Sequence, residues 1–237
     1  MNTETISIVF SLRPIEVEAT EKVASMIEHS DVSERRLLTV CAERFSDSEM
    51  EEMHKVLSFA KSLESTDPNH PSMHAYISHP LRVARMALQL LEEPSLDIVS
   101  MGLLHNVFEV SGLAEADVIE AGFASRIADG VRCSTVDRKL QFDESYLAEF
   151  YGRIMEFGDD LVLIKCVDKL DNLLAFQLID GPVREPYLEA TSRFVKPMAD
   201  HISPAFGDYF GRVIEHMRSV GCDQELKAQY EAFKTQN

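Results

Sequence analysis

Residues 159–179 read DDLVLIKCVDKLDNLLAFQLI. No Gly or Pro interrupts the stretch, and its apolar positions recur at helical spacing, which predicts a long helix. Asp168 and Asn172 are four residues apart in it, and Lys165 stands one turn before Asp168. Residues at that spacing share one helix face. An intrahelical Lys–Asp pair on a solvated face is the plain reading. The apolar flanks argue against full exposure. Asp171 falls on a neighbouring face and reads as solvated.

The same period runs outward in both directions. ESYLAEFYGRIMEF precedes this stretch, and PYLEATSRFVKPMADHI, AFGDYFGRVIEHMRSV and DQELKAQYEAFKTQ follow it. Toward the N-terminus, SLDIVSMGLLHNVFEV (residues 95–110) predicts a strongly apolar, buried helix that stops near Gly112. His105 and Asn106 lie in its middle, and Glu109 is four residues beyond His105, on the same face. Two short helices are expected over AEADVIEAGF and ASRIADGVRC. HPLRVARMALQLLEE starts with Pro80 at a first helical position, with His79 just before it. STDPNHPSMH, residues 65–74, is the clearest loop. Ser46 and Glu49 have capping-box spacing ahead of a helix whose apolar face is Met50, Met53, Val56, Leu57, Ala60 and Leu63. Two further helices cover RPIEVEATEKVASMIEHS and DVSERRLLTVCAERF. The expected fold is all-α, a bundle of roughly ten helices. Residues 1–49 would form a helical extension packed on a core domain of residues 50–237.

Composition narrows the function. Lys and Arg number 23 against 40 Asp and Glu, for a net charge of −17. No basic stripe interrupts this acidity, so nucleic acid is not the expected partner. A small anionic ligand stays compatible, because a bound cation can make one site locally positive. No apolar run reaches about 18 residues, so no membrane span is expected. The N-terminus lacks a basic segment followed by an apolar core, so no signal peptide is indicated. Cys41, Cys133, Cys166 and Cys222 form no C-x-x-C pair and read as reduced thiols. Together these point to a cytoplasmic protein. The acidic C-terminal helices read as solvated amphipathic helices or as the surface of a homo-oligomer.

Singly, each polar residue has a plain reading: His79 as a cap or loop histidine, His105 as a satisfied core histidine, Glu109 as a residue at the solvent edge. Together they are chemically coherent. Two imidazoles with one or two oxygen donors suit Mn, Fe or Zn. Such an ion acidifies water and neutralises phosphate charge, and a nearby carboxylate such as Glu109 can orient or deprotonate that water.

The order of these segments resembles the HD phosphohydrolase superfamily, above all the hydrolase domain of RelA/SpoT-type ppGpp enzymes and their small stand-alone relatives. The resemblance rests on Tyr76-Ile77-Ser78-His79-Pro80, on Leu103-Leu104-His105-Asn106-Val107-Phe108-Glu109, on Gly130-Val131-Arg132-Cys133, and on Leu163-Ile164-Lys165-Cys166-Val167-Asp168-Lys169-Leu170-Asp171-Asn172. It covers roughly residues 50 to 200. It implies an HD-domain-like helical fold with one divalent metal, commonly manganese, held by His79, His105, position 106 and Asp168. With it go Glu109 as the catalytic carboxylate, and Asn172, Tyr76 and Lys165 as substrate contacts. In the relatives the site removes the 3′-pyrophosphate of ppGpp.

Four departures stand out. Asn106 replaces the Asp of the HD pair, removing one negative charge from the ligand set. Val110 replaces the second acid after Glu109, and Asp171 replaces a His. The basic pair upstream of Tyr76 is absent; Asn69 to His74 stand there, including His70 and His74. Two readings follow. One is a metal-dependent phosphohydrolase acting on a nucleotide or ppGpp-like substrate. The other is a degenerate, non-catalytic HD-like module that binds a nucleotide or a protein partner.

Overall fold

In a computed structural model, residues 6–9, 11–27, 30–64, 66 and 76–234 are described. The helices are α1 (Ile15–Ile27), α2 (Ser30–Ala42), α3 (Asp47–Ser62), α4 (Ser78–Leu90), α5 (Leu96–Leu104), α6 (Val107–Val110) and α7 (Glu115–Glu120). They continue with α8 (Ser125–Ser134), α9 (Glu144–Phe157), α10 (Asp159–Leu173), α11 (Arg184–Ala190), α12 (Lys196–Ile202), α13 (Pro204–Val220) and α14 (Gln224–Lys234). Among the described residues the only β pairing is an isolated antiparallel bridge between Ile8 and Leu91. The fold is all-α, as expected. No described helix is long and apolar enough to cross a membrane.

The stretch 159–179 supplies the axis of the bundle. Helix α10 packs against α4, α5, α8, α9, α12 and α13. Its side chains from Leu161 to Asp168 are all buried. A helix enclosed on every side must be apolar nearly all round. Its charged residues therefore have to find partners inside the protein. Gly158, at φ 131°, makes the turn between α9 and α10 in a region that side chains rarely adopt.

Helix α4 lies alongside α10 and against α5. The close approach of α5 to α4 depends on Gly102. A Cβ there would stand 3.1 Å from the Ala84 Cα and 3.2 Å from the Ile164 Cδ1. Helix α4 begins at Ser78, two residues before Pro80, so His79 sits in its first turn rather than ahead of it. Pro80 is tolerated there because a first-turn N–H has no intrahelical partner to lose.

The expected single helix over residues 95–110 is broken. Ser95 caps α5 by accepting a hydrogen bond from the Ile98 N–H at 3.3 Å. Helix α5 ends at Leu104, and α6 starts at Val107. Between them Asn106 adopts φ −113° and ψ 9°. Asn tolerates such bridge geometry better than the apolar residues around it. The capping box at Ser46 and Glu49 is present as expected. Gly112 has φ 69°, just past the end of α6.

The pattern over residues 184–202 is interrupted by a π-helical turn at Thr191–Val195. Pro197 follows in the next turn and has no N–H to continue the α ladder. The buried core is continuous from Ala19, Leu37 and Cys41 near the N-terminus to Ile214 and Met217. Cys41 and Cys166 are buried and free, and Cys133 and Cys222 are half-buried and free.

Candidate metal centre

Three elements meet at one point. The first turn of α4 brings His79, the C-terminal end of α5 brings His105, and the middle of α10 brings Asp168. One donor atom from each lies within 4.8 Å of the others. The His79 Nε2 is 3.3 Å from the Asp168 Oδ1, and the His105 Nε2 is 3.6 Å from the same oxygen.

Each histidine is oriented by its other nitrogen. The His105 Nδ1 donates to the Gly102 carbonyl at 2.7 Å. The His79 Nδ1 donates to the Asp171 Oδ2 at 2.8 Å. Both Nε2 atoms are buried and make no hydrogen bond. A carbonyl or carboxylate on Nδ1 selects the tautomer with its lone pair on Nε2, the state a metal ligand needs. Burial lowers the His105 pKa despite Asp168 nearby, which keeps the ring neutral. Orphaned buried nitrogens facing a carboxylate oxygen fit a divalent ion, whose bonds to N and O ligands run about 2.0–2.2 Å.

Asp168 is divided between two environments. Its Oδ1 faces both histidines and accepts from the Asn172 Nδ2 at 2.9 Å. Its Oδ2 faces the Lys165 Nζ at 3.0 Å and the Lys169 Nζ at 3.3 Å. Burial alone would raise its pKa; Lys165, Lys169 and the two imidazoles overcome that and hold it well below the usual carboxylate range.

The other predicted residues are placed as follows. Lys165 is buried beside Asp168, donates to the Ser134 carbonyl at 3.2 Å and lies 5.2 Å from the Phe150 ring centre. Asn172 faces Asp168 along the same helix, as its spacing predicted. Tyr76 is buried, with its hydroxyl against the side-chain amide of Asn106. Asn106 follows His105 directly and is half-buried. Glu109 ties down the segment after α8. Its Oε1 accepts from the Val136 N–H at 3.0 Å, and its Oε2 lies 3.5 Å from the Arg138 Nε. His70 and His74 lie outside the described residues.

One expectation is overturned. Asp171 is not solvated; it is fully buried. It accepts from the Lys22 Nζ at 2.5 Å, from the Arg82 Nε at 2.7 Å and from the His79 Nδ1 at 2.8 Å. Lys22 and Arg82 were missed altogether. Nothing local marks Lys22, which reads as one polar position of an amphipathic helix. Arg82 carried a fainter signal, one of two charges in the mainly apolar run after Pro80. Tyr187 was missed too, and its ring lies 5.7 Å from the Lys169 Nζ. Beside them is a cavity of about 40 Å³ lined by Phe150, Tyr151, Lys169 and Tyr187. That volume takes water rather than a nucleobase.

No family model matches this chain, and no curated protein matches it. It is similar to a solved structure described as a metazoan ortholog of SpoT that hydrolyses ppGpp and plays a role in starvation responses. The two are 19% identical, and the match covers 81% of this chain and 96% of that one, with a TM-score of 0.47.

Proposed function

We propose that this chain is a metal-dependent phosphohydrolase of the HD type, acting on a nucleotide or ppGpp-like pyrophosphate. The observation that carries the reading is the convergence of two tautomer-fixed, unpaired Nε2 atoms on the Asp168 Oδ1. His79, His105 and Asp168 would hold a divalent ion, with manganese as first choice and Fe or Zn as alternatives. When bound, it would supply Lewis acidity, making water nucleophilic and neutralising phosphate charge. Asn106 would complete the ligand set through its amide oxygen.

The chain's own groups do the rest. Asn172 pins the ligand oxygen of Asp168. Lys165 and Lys169 neutralise its second oxygen and hold the carboxylate in one plane. Glu109, in the segment just after His105, is assigned the proton of the attacking water. Lys169, the less enclosed of the two lysines, adds positive charge toward an anionic ligand. Asn172, Tyr76 and Lys165 are the assigned substrate-side residues. For Lys165 and Tyr76, which are buried, that role is to shape the wall of the site.

A second reading is favoured by a specific observation. Asp168 is already balanced by two lysines, and an amide stands at position 106. A centre neutralised in this way can persist without an ion, as in a non-catalytic module that binds a nucleotide or a protein partner.

Elemental analysis of the purified chain, followed by Mn-supplemented assays on ppGpp and a nucleotide panel, separates the two. The hydrolase reading expects about one equivalent of ion and phosphate or pyrophosphate release. It also expects Asn106→Asp to tighten Mn binding by at least about tenfold, the scale on which even outer-sphere changes move metal affinity. Protein that carries no metal and ignores added Mn would sink it. Activity on another nucleotide with none on ppGpp would keep the chemistry and reject that substrate.

A further inference from the structure

Helix α1 lies outside the stretch that carries the family resemblance, yet it reaches the candidate centre. Its Lys22 is buried, and the Nζ donates to the Asp171 Oδ2 at 2.5 Å. That same oxygen accepts from the His79 Nδ1 at 2.8 Å. The other Asp171 oxygen accepts from the Arg82 Nε at 2.7 Å. Arg82 in turn reaches Glu21, the neighbour of Lys22 on α1, at 3.0 Å, and Glu21 pairs with Arg85 at 2.5 Å.

We infer that Lys22 is a positioning residue for the metal centre, acting through Asp171 to fix the ring of His79. The inference rests on the metal reading above. Its physical basis is the sharing of one oxygen. A carboxylate with a cation on each oxygen cannot turn about its Cβ–Cγ bond. The Asp171 Oδ2 is thereby held against Nδ1, and the His79 Nε2 is held facing the Asp168 Oδ1 at 3.3 Å. Without Lys22 the only cation left on Asp171 among the described residues sits on the opposite oxygen, and the carboxylate is free to swing toward Arg82. A carboxylate behind a ligating histidine sets both the orientation and the donor strength of the ring. Docking α1 by itself requires no such arrangement, because apolar contacts would do so without desolvating Lys22, Asp171 and Arg82.

The test is a double-mutant cycle on the full chain, with Mn(II) as the probe in calorimetric titration. Lys22→Met keeps the length of the stem and removes the charge. It should weaken Mn binding by about 10- to 100-fold, the usual range for outer-sphere partners. Asp171→Asn should cost a similar factor, and the double variant should bind no more weakly than Asp171→Asn alone, because Lys22 acts through Asp171. If Lys22→Met melts earlier yet binds Mn as tightly as the parent, or if the two losses multiply, the inference is overturned. Should Lys22→Met fail to fold, comparing the charge-balanced double variant with Asp171→Asn decides on the same criterion.

Long-range ¹H–¹⁵N spectra of the histidine rings separate this inference from the metal reading. If the parent binds no Mn, the metal reading fails. Lys22 is then judged on the metal-free ring. A shifted or lost His79 Nδ1–H resonance in Lys22→Met supports the relay, and an unchanged one overturns it.

Discussion

Asp168 has two histidines and an amide on one oxygen and two lysines on the other, all inside the protein. Such a group is stable only while its partners keep their present ionisation. Metal-free His105 offers a clean test, because burial lowers its pKa from the ordinary value near 6.5. Below that value the unfolded chain takes up a proton that the folded chain refuses. The unfolded state then binds more protons, so stability rises with pH across this window. The stabilisation is fully present above pH 6.5 and is lost as pH falls toward the lowered folded value. Thermal unfolding of the metal-free chain should therefore move to lower temperature between pH 7 and pH 5. His105→Gln, which cannot titrate, should flatten that slope. An identical slope in both proteins would show that other groups carry it.

At the scale of elements, the site depends on how closely α5 lies against α4. Gly102 serves that approach twice. Its missing side chain lets α5 come within 3.1 Å of the Ala84 Cα, measured from where a Cβ would stand, and its carbonyl orients His105. Filling the position with a branched side chain pushes against backbone, which cannot rotate away. Gly102→Val should cost about 1–3 kcal/mol, the range for overpacked cores. It should also weaken Mn binding, because His105 rides on the same turn. Chemical denaturation and metal titration measure the two effects, and an unchanged denaturation midpoint would show that the contact relaxes. The break between α5 and α6 belongs to this scale as well. An unbroken helix would put Glu109 directly in line with His105. The break at Asn106 instead leaves Glu109 bonded to the Val136 N–H.

Across the whole molecule, the N-terminal helices are part of the same buried core as the site. Ala19, Leu37, Cys41 and Phe45 belong to the cluster that includes Leu81, Met101 and Ile164. Residues 6–9 also pair with the end of α4, through the Val9 N–H to the Leu90 carbonyl at 2.7 Å and the Glu92 N–H to the Ser7 carbonyl at 2.9 Å. Deleting residues 1–45 would return this apolar face to water and remove the Lys22 partner of Asp171. Apolar surface returned to water costs about 25 cal/mol per Å², and a typical domain's whole stability is only about 5–15 kcal/mol. The shortened chain should lose its cooperative thermal transition in circular dichroism. A sharp transition near that of the full chain would show that residues 46–237 fold alone.

Much of this was legible in the sequence because it is periodic or local. Apolar spacing marked nearly every helix, the Ser46–Glu49 capping box marked a start, and the four-residue step from Asp168 to Asn172 gave a contact that is present. The break at Asn106 was hidden, since the apolar period continues through it and only the backbone angles betray it. Asp171 was misread for a related reason. Its face of α10 was taken as solvated, and only packing by α1 and α4 encloses it. Lys22 and Arg82 could not be paired with it in advance, because partners 149 and 89 residues away leave no mark in local spacing. The sequence by itself determined the helices and the residue types able to bind a metal. Tertiary structure alone decided which charges are buried together, because desolvation and ion pairing depend on what surrounds a side chain once every helix has docked.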